Sequence, residues 1–259
     1  MKMPIIDLLK YLKDCPNRIA RRNWITRQLD AQKIPYIIEN FQPDGANIII
    51  QKSEKNKIIF SAHYDGNDLN DNLSSGAILL EILRNYRNDG YAMLLTDLEE
   101  ERSRGMDAYI DQHGTDLPLI VLELCGSGNI VHLGELSFIP WPPFEEVSMD
   151  NDILTNLESC TSDLGFAYRR HITPPGDHLH YAMRGGKVGL LSNINEVDFE
   201  VINRMRTQTP PNRLFDGVDR NASVISRIPP FGGCTWENIQ PTSLEKIYEI
   251  VKCYLNTKL

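Results

Sequence analysis

Two histidines and a run of carboxylates carry the reactive chemistry of this chain. In "IIFSAHYDGNDLNDNLSSGAILLEIL" (58–83), His63, Asp65, Asp68 and Asp71 interrupt two apolar segments. Asp97, Glu99, Glu100 and Glu101 follow the apolar run "AMLLT". Glu123 lies within "LIVLEL", and "PPGDHLHYAM" holds Asp177, His178 and His180. Each cluster alone has an ordinary reading: "DLEEER" as an acidic first helical turn, "HYD" as a strand end, "DHLH" as a surface loop. Glu123 is harder to explain that way, because a buried unpaired carboxylate is costly. Four such clusters beside strand ends point to a compensating cation. Imidazole and carboxylate together suit zinc or a similar divalent transition metal better than calcium or magnesium. Two histidines with three or four carboxylates exceed the needs of one tetrahedral ion. They suit a pair of ions about 3.5–4 Å apart, bridged by one carboxylate.

The elements that must position these groups are legible as apolar runs. "NIIIQ" (47–51), "KIIFSA" (57–62), "AMLLT" (92–96), "LPLIVLEL" (117–124) and "VGLLS" (188–192) have strand character. Several are continuous rather than alternating, as in central strands covered on both faces. Ile78, Leu79, Ile82, Leu83 and Tyr86 repeat at helical spacing, and Ser74–Ser75 offer a cap. Further helices are expected near 17–32, 105–113, 152–164 and 242–255, and the N-terminus reads as an amphipathic helix. Alternating strands and helices predict an α/β fold, a mixed, largely parallel central sheet sandwiched between helices. In such sheets ligands bind beyond the carboxyl ends of the strands, where the acidic clusters fall. "FIPWPPFEE" (138–146) and "TQTPPNRLFDGVDRNAS" (207–223) read as loops, the second long enough to suggest function. With no linker and no repeat, residues 1–259 are expected to form a single catalytic domain.

Composition narrows the function classes. At 259 residues, 41% hydrophobic and 24% charged, the chain is an ordinary globular protein. A formal net charge of −8 argues against nonspecific nucleic-acid binding. No apolar run reaches the length of a membrane span, so neither nucleic acid nor membrane is an expected partner. Cys15, Cys125, Cys160, Cys234 and Cys253 are scattered singly, without a CxxC pair. That pattern suits a reducing, cytoplasmic location better than a disulfide scaffold.

In combination these motifs resemble the co-catalytic zinc aminopeptidases. That metallopeptidase family also includes glutamate carboxypeptidase, the transferrin-receptor ectodomain and the glutaminyl cyclases. The shared motifs are "HYD" at 63–65, "DNLSSG" at 71–76, "EE" at 99–100, "LEL" at 122–124 and "GDH" at 176–178. The resemblance implies two metal ions, most simply zinc. His63 and Glu123 would hold the first, Glu100 and His178 the second, and Asp71 would bridge both. It further implies Glu99 as general base, Asp65 as the group orienting His63, and a strained or cis peptide at Asp71–Asn72. His180 is a rival to His178, since two-residue spacing also suits one face of a strand; the preceding Asp favours His178. Tyr64 and Tyr181 are nearby phenols whose ordinary reading is packing.

The chain also departs from the family pattern. Most peptidases of the family have Asp where Glu123 stands. "ERSR" (101–104) replaces the glycines and leucines after "EE", "DNLSSG" carries one extra residue, and "CTWEN" (234–238) replaces a late "HTxxD" element. The resemblance implies a zinc-dependent exopeptidase, an aminopeptidase acting on short peptides or small amides. The alternatives are glutaminyl cyclase-like or acyl-amino-acid hydrolase chemistry on the same scaffold, and a noncatalytic receptor-like interaction module.

Overall fold

The structure is a computed structural model that describes residues 4–86, 89–139, 145–200, 202 and 234–259. The predicted loop at 207–223 lies outside them, as does the middle of the one at 138–146.

Apolar patterning decides the early elements. In α1 (Ile5–Asp14), Ile5, Leu8, Leu9 and Leu12 form one buried stripe, with Asp7 and Lys10 paired outside it. A tight Asn17 cap, accepting from the Ala20 N–H at 2.9 Å, starts α2 (Arg18–Ala31). The chain then lays down β1 (Tyr36–Phe41), β2 (Gly45–Ile50), β3 (Ile58–His63), α3 (Leu73–Asn85) and β4 (Tyr91–Thr96). It continues through α4 (Arg104–His113), β5 (Leu119–Leu122), β6 (Ile130–Phe138), β7 (Glu146–Ser148) and α5 (Asn151–Asp163). The last elements are β8 (Tyr168–Thr173), α6 (Asp177–Met183), β9 (Val188–Ile194) and α7 (Pro241–Lys258).

The strands make one mixed sheet in the order β1-β2-β4-β3-β5-β9-β6-β7, with β8 also paired to β6. Its centre, β4-β3-β5-β9, is parallel. β2 is antiparallel to β4 on one side, and β6 is antiparallel to β9 on the other. Every residue of β2, β3, β4, β5 and β9 is buried, which explains their continuous apolar runs. Helices α1, α3, α5 and α7 pack against one another, and α4 packs with α6. Among the described residues no helix is long and apolar enough to cross a membrane.

The expected strands and helices are present. β1, β6, β7 and β8 are additional, and their sequences explain why they escape notice. β1 is half exposed, and β6 mixes His, Gly, Glu and Ser among its apolar residues. The Ser74–Ser75 cap needs correction. Helix α3 begins at Leu73, so both serines lie inside its first turn. Ser74 instead donates to the Asn70 carbonyl at 2.8 Å and accepts the Cys125 N–H at 3.2 Å, tying the helix start to two loops.

Candidate functional site

Parallel strands β3, β4 and β5 all end at the same edge of the sheet, and the acidic clusters follow them there. His63 is the last residue of β3 and is 1% exposed. Its Nδ1 lies 3.0 Å from Asp65 Oδ1 and its Nε2 3.1 Å from Asp71 Oδ1. The turn between them is tightly built. Asp68 accepts the N–H groups of Asn70 (2.8 Å) and Asp71 (3.1 Å) through one oxygen, and that of Cys234 (3.1 Å) through the other. Asp68 therefore shapes the loop, and the start of "CTWEN" (234–238) is fastened to it through the Cys234 N–H. The Asp71–Asn72 peptide is cis, as the resemblance implies.

A buried guanidinium supports this turn from below. Arg21 of α2 is fully buried and donates to the Leu12 carbonyl, the Tyr64 carbonyl and Asn67 Oδ1. Sequence reading overlooked it, because nothing in "RIARRNW" separates this arginine from its exposed neighbours.

After β4 the chain makes an irregular turn rather than a helix start, with left-handed φ values at Leu98, Arg102 and Ser103. Asp97 anchors the turn: it is buried, pairs with Arg18 at 2.6 Å and accepts the Ala46 N–H at 3.0 Å. The turn separates the two adjacent glutamates. Glu99 is mostly buried, with Oε2 3.9 Å from His63 Nε2 and Oε1 accepting from the Ser103 hydroxyl at 3.3 Å. Glu100 reaches the rim, and its N–H donates to Asp65 Oδ2 at 3.3 Å. His63, Glu99 and Glu100 each offer a ligand atom within 4.8 Å of the others. Gly66 is packed against the same place: a Cβ there would stand 2.9 Å from the Asp71 carbonyl and 3.0 Å from Glu100 Oε1.

Glu123 and His178 form a second group. Glu123 follows the last residue of β5, and His178 is in the first turn of α6, with Nδ1 3.8 Å from Glu123 Oε1. Both His178 nitrogens and Glu123 Oε1 are buried without a hydrogen-bond partner. Asp177 is buried beside them and accepts from the Thr96 hydroxyl at 2.6 Å. The competition between His178 and His180 is resolved by the element that carries them. They lie on a helix, not a strand, so two residues turn them to opposite sides. His180 faces α4 and pairs with Asp107 at 2.9 Å. Tyr64 and Tyr181 are buried phenols donating to the carbonyls of Ala46 and Leu117, as packing residues do.

The close contacts thus gather His63 with Asp71 and with the expected base Glu99 and ligand Glu100, and set Glu123 beside His178. Charge crowding joins the groups electrostatically. Burial, then the charges of Asp177, Glu123 and Asp71, push Glu99 well above the usual carboxyl range despite the opposing His63. Loss of solvent and the neighbouring Asp71 charge raise Glu100 to about 7. Asp177 rises to about 6 through burial and the charge of Glu123, against the Thr96 hydrogen bond and His63. Burial alone would lower His63, but Glu99 and the hydrogen bonds to Asp65 and Asp71 raise it strongly. Orphaned buried imidazole nitrogens and mutually repelling carboxylates are the two deficits that a divalent cation removes. The donor set is also of the kind such an ion takes.

Comparison with protein-family models and with curated proteins finds no match for the sequence. Solved structures do match. The chain is similar over 98% of its length to a leucine aminopeptidase precursor from Bacteroides thetaiotaomicron, covering 96% of that chain at 15% identity with TM-score 0.69. A glutaminyl cyclase from Porphyromonas gingivalis is similar over 98% of this chain and 97% of its own, at 14% identity and TM-score 0.67. The zinc aminopeptidase of Bacillus subtilis matches 83% of this chain and 50% of its own, at 15% identity and TM-score 0.58. At these identities the likeness establishes the fold, one common to aminopeptidases and a glutaminyl cyclase.

Proposed function

We propose that this chain is a zinc-dependent aminopeptidase that removes N-terminal residues from short peptides. The observation that carries the proposal is the pair of orphaned groups, His178 and Glu123 Oε1, with the Glu123 charge reaching Asp71 and Glu99 beside His63. His63, Asp71, Glu100, Glu123 and His178 would hold two divalent ions, with Asp71 shared. When bound, such ions polarise a scissile carbonyl and lower the pKa of a bound water.

The remaining work falls to the protein's own groups. Asp65 accepts from His63 Nδ1 and so fixes the ring with Nε2 turned into the site. Glu99 is buried, close to His63 and outside the proposed ligand set. From that position it would take a proton from water and return it to the departing amine. Carboxylate beyond that ligand set suits the ammonium of a free N-terminus. Short peptides or small amides are the proposed substrates.

The test combines metal analysis with a substrate panel. Purified protein should contain close to two zinc ions, and chelation should abolish activity reversibly. Free peptides should be shortened one residue at a time, while their N-acetylated forms should react about 10²–10⁴-fold more slowly, because blocking the amine leaves a buried charge contact unmade. The fold shared with a glutaminyl cyclase supplies the second reading, and ammonia release from N-terminal glutamine without peptide cleavage would favour it. Preference for N-acylated substrates would indicate an acyl-amino-acid hydrolase. Inertness of fully metallated protein towards all of these would leave an interaction module.

A further inference from the structure

Gly176 immediately precedes Asp177 and His178. Its backbone is extended, with φ −176° and ψ −162°, a conformation open to any residue. The path of the chain therefore does not call for glycine here, but the available space does. A Cβ at 176 would lie 2.7 Å from Glu123 Oε1, 3.2 Å from Oε2 and 3.3 Å from Cδ. The Glu123 carboxylate occupies the room that any side chain at 176 would take. This is the same carboxylate whose Oε1 is orphaned and stands 3.8 Å from His178. The Glu123 main chain cannot easily retreat. Its N–H donates to the Leu191 carbonyl at 3.2 Å, and Leu124 follows it in the left-handed region at φ 56°.

Resting on the metal-dependent reading above, we infer that Gly176 is a positioning residue: its missing side chain forms the berth that seats the Glu123 carboxylate beside His178, where it can serve as a metal ligand. Glu123 stands where the resembling peptidases carry the shorter aspartate, and the extra methylene needs space. Glu123 and Gly176 are thus a matched pair. A methyl at 176 displaces the carboxylate, and shortening residue 123 withdraws the carboxylate and makes room for the methyl.

The experiment compares wild type, Gly176→Ala, Glu123→Asp and the double variant. Zinc affinity is measured by competition with a chromophoric chelator, and melting temperature with and without zinc. Gly176→Ala should weaken the less tightly held zinc by about 10–100-fold, the usual scale for disturbing a group that orients a ligand. Its metal-stripped melting temperature should stay near that of wild type. The double variant should bind zinc more tightly than Gly176→Ala alone. The inference is overturned if Gly176→Ala holds zinc like wild type, or if the two substitutions add as independent sites do. An equal loss of melting temperature with and without zinc would also overturn it, as the mark of a packing role only. Wild-type protein that takes up no zinc would overturn the metal-dependent reading and this inference with it, an outcome distinct from failure of the pair alone.

Discussion

The two histidines of the site are equally buried, at 1% and 0% exposure, yet their surroundings are opposite. His63 has both nitrogens engaged, by Asp65 and by Asp71. His178 has neither, and its nearest carboxylate, Glu123, is itself short of a partner. One half of the site is therefore self-sufficient, held by its own hydrogen bonds and by a turn that Asp68 and Arg21 shape. The other half is unsatisfied in the protein alone, which is a costly arrangement unless something else completes it. The contrast teaches that equal burial can leave two histidines in opposite states: the fold supplies partners to His63 and none to His178.

The largest effect is expected at Glu99, in the His63 half but within reach of the charges of Glu123 and Asp177. Glu99→Gln should retain metal and fold while turnover falls roughly 10²–10⁴-fold, the scale of a lost general base. Metal loss in this variant, with retention in Glu100→Gln, would reverse the two roles. Next comes the residue proposed to serve both halves. Asp71→Ala should lower zinc content at both positions, whereas His178→Ala should empty one. Rebinding of two zinc ions by stripped Asp71→Ala, as tightly as by wild type, would break the bridging role.

Stability without metal sharpens the contrast most directly. His63→Ala should destabilise metal-stripped protein by about 1–3 kcal/mol in urea unfolding, because Asp65 and Asp71 lose their partner. His178→Leu keeps comparable volume and removes two unpaired buried nitrogens. It should be neutral or stabilising by about 1 kcal/mol in the same measurement. Equal losses for the two variants would erase the distinction between the halves. The smallest effect belongs to His180, which faces away from the site. His180→Ala should leave zinc content unchanged and lower stability by about 0.5–1.5 kcal/mol, the usual worth of a hydrogen bond.

Much of this was legible in the sequence where chemistry and local pattern coincide. Continuous apolar runs located β2, β3, β4, β5 and β9, and the polar residues at their ends drew attention to His63, Asp71, Glu99, Glu123 and His178. The harder features depend on contacts between residues far apart in the chain. Nothing in the spacing of "HLH" shows that a helix, not a strand, turns His180 away. Thr96 is an ordinary strand residue until Asp177 arrives against it, 81 residues later. Arg21 and Gly176 matter through the space and carbonyls around them, which only the fold provides. The serine cap misled because Ser74 found partners in the Asn70 and Cys125 loops.

The two halves also differ in contour length. His63 and Asp71 are eight residues apart, on one strand end and the turn that follows it. Glu123 and His178 are separated by the whole excursion through β6, β7, α5 and β8. Closing the longer loop costs more chain entropy, and it depends on non-local pairings that form slowly. The His63–Asp71 half is accordingly expected to outlast the other in partly unfolded states. Native-state hydrogen exchange should then show amides of β3 and the start of α3 protected under denaturant concentrations that already open α6. Opening of both regions at one concentration would mean that the site is a single cooperative unit.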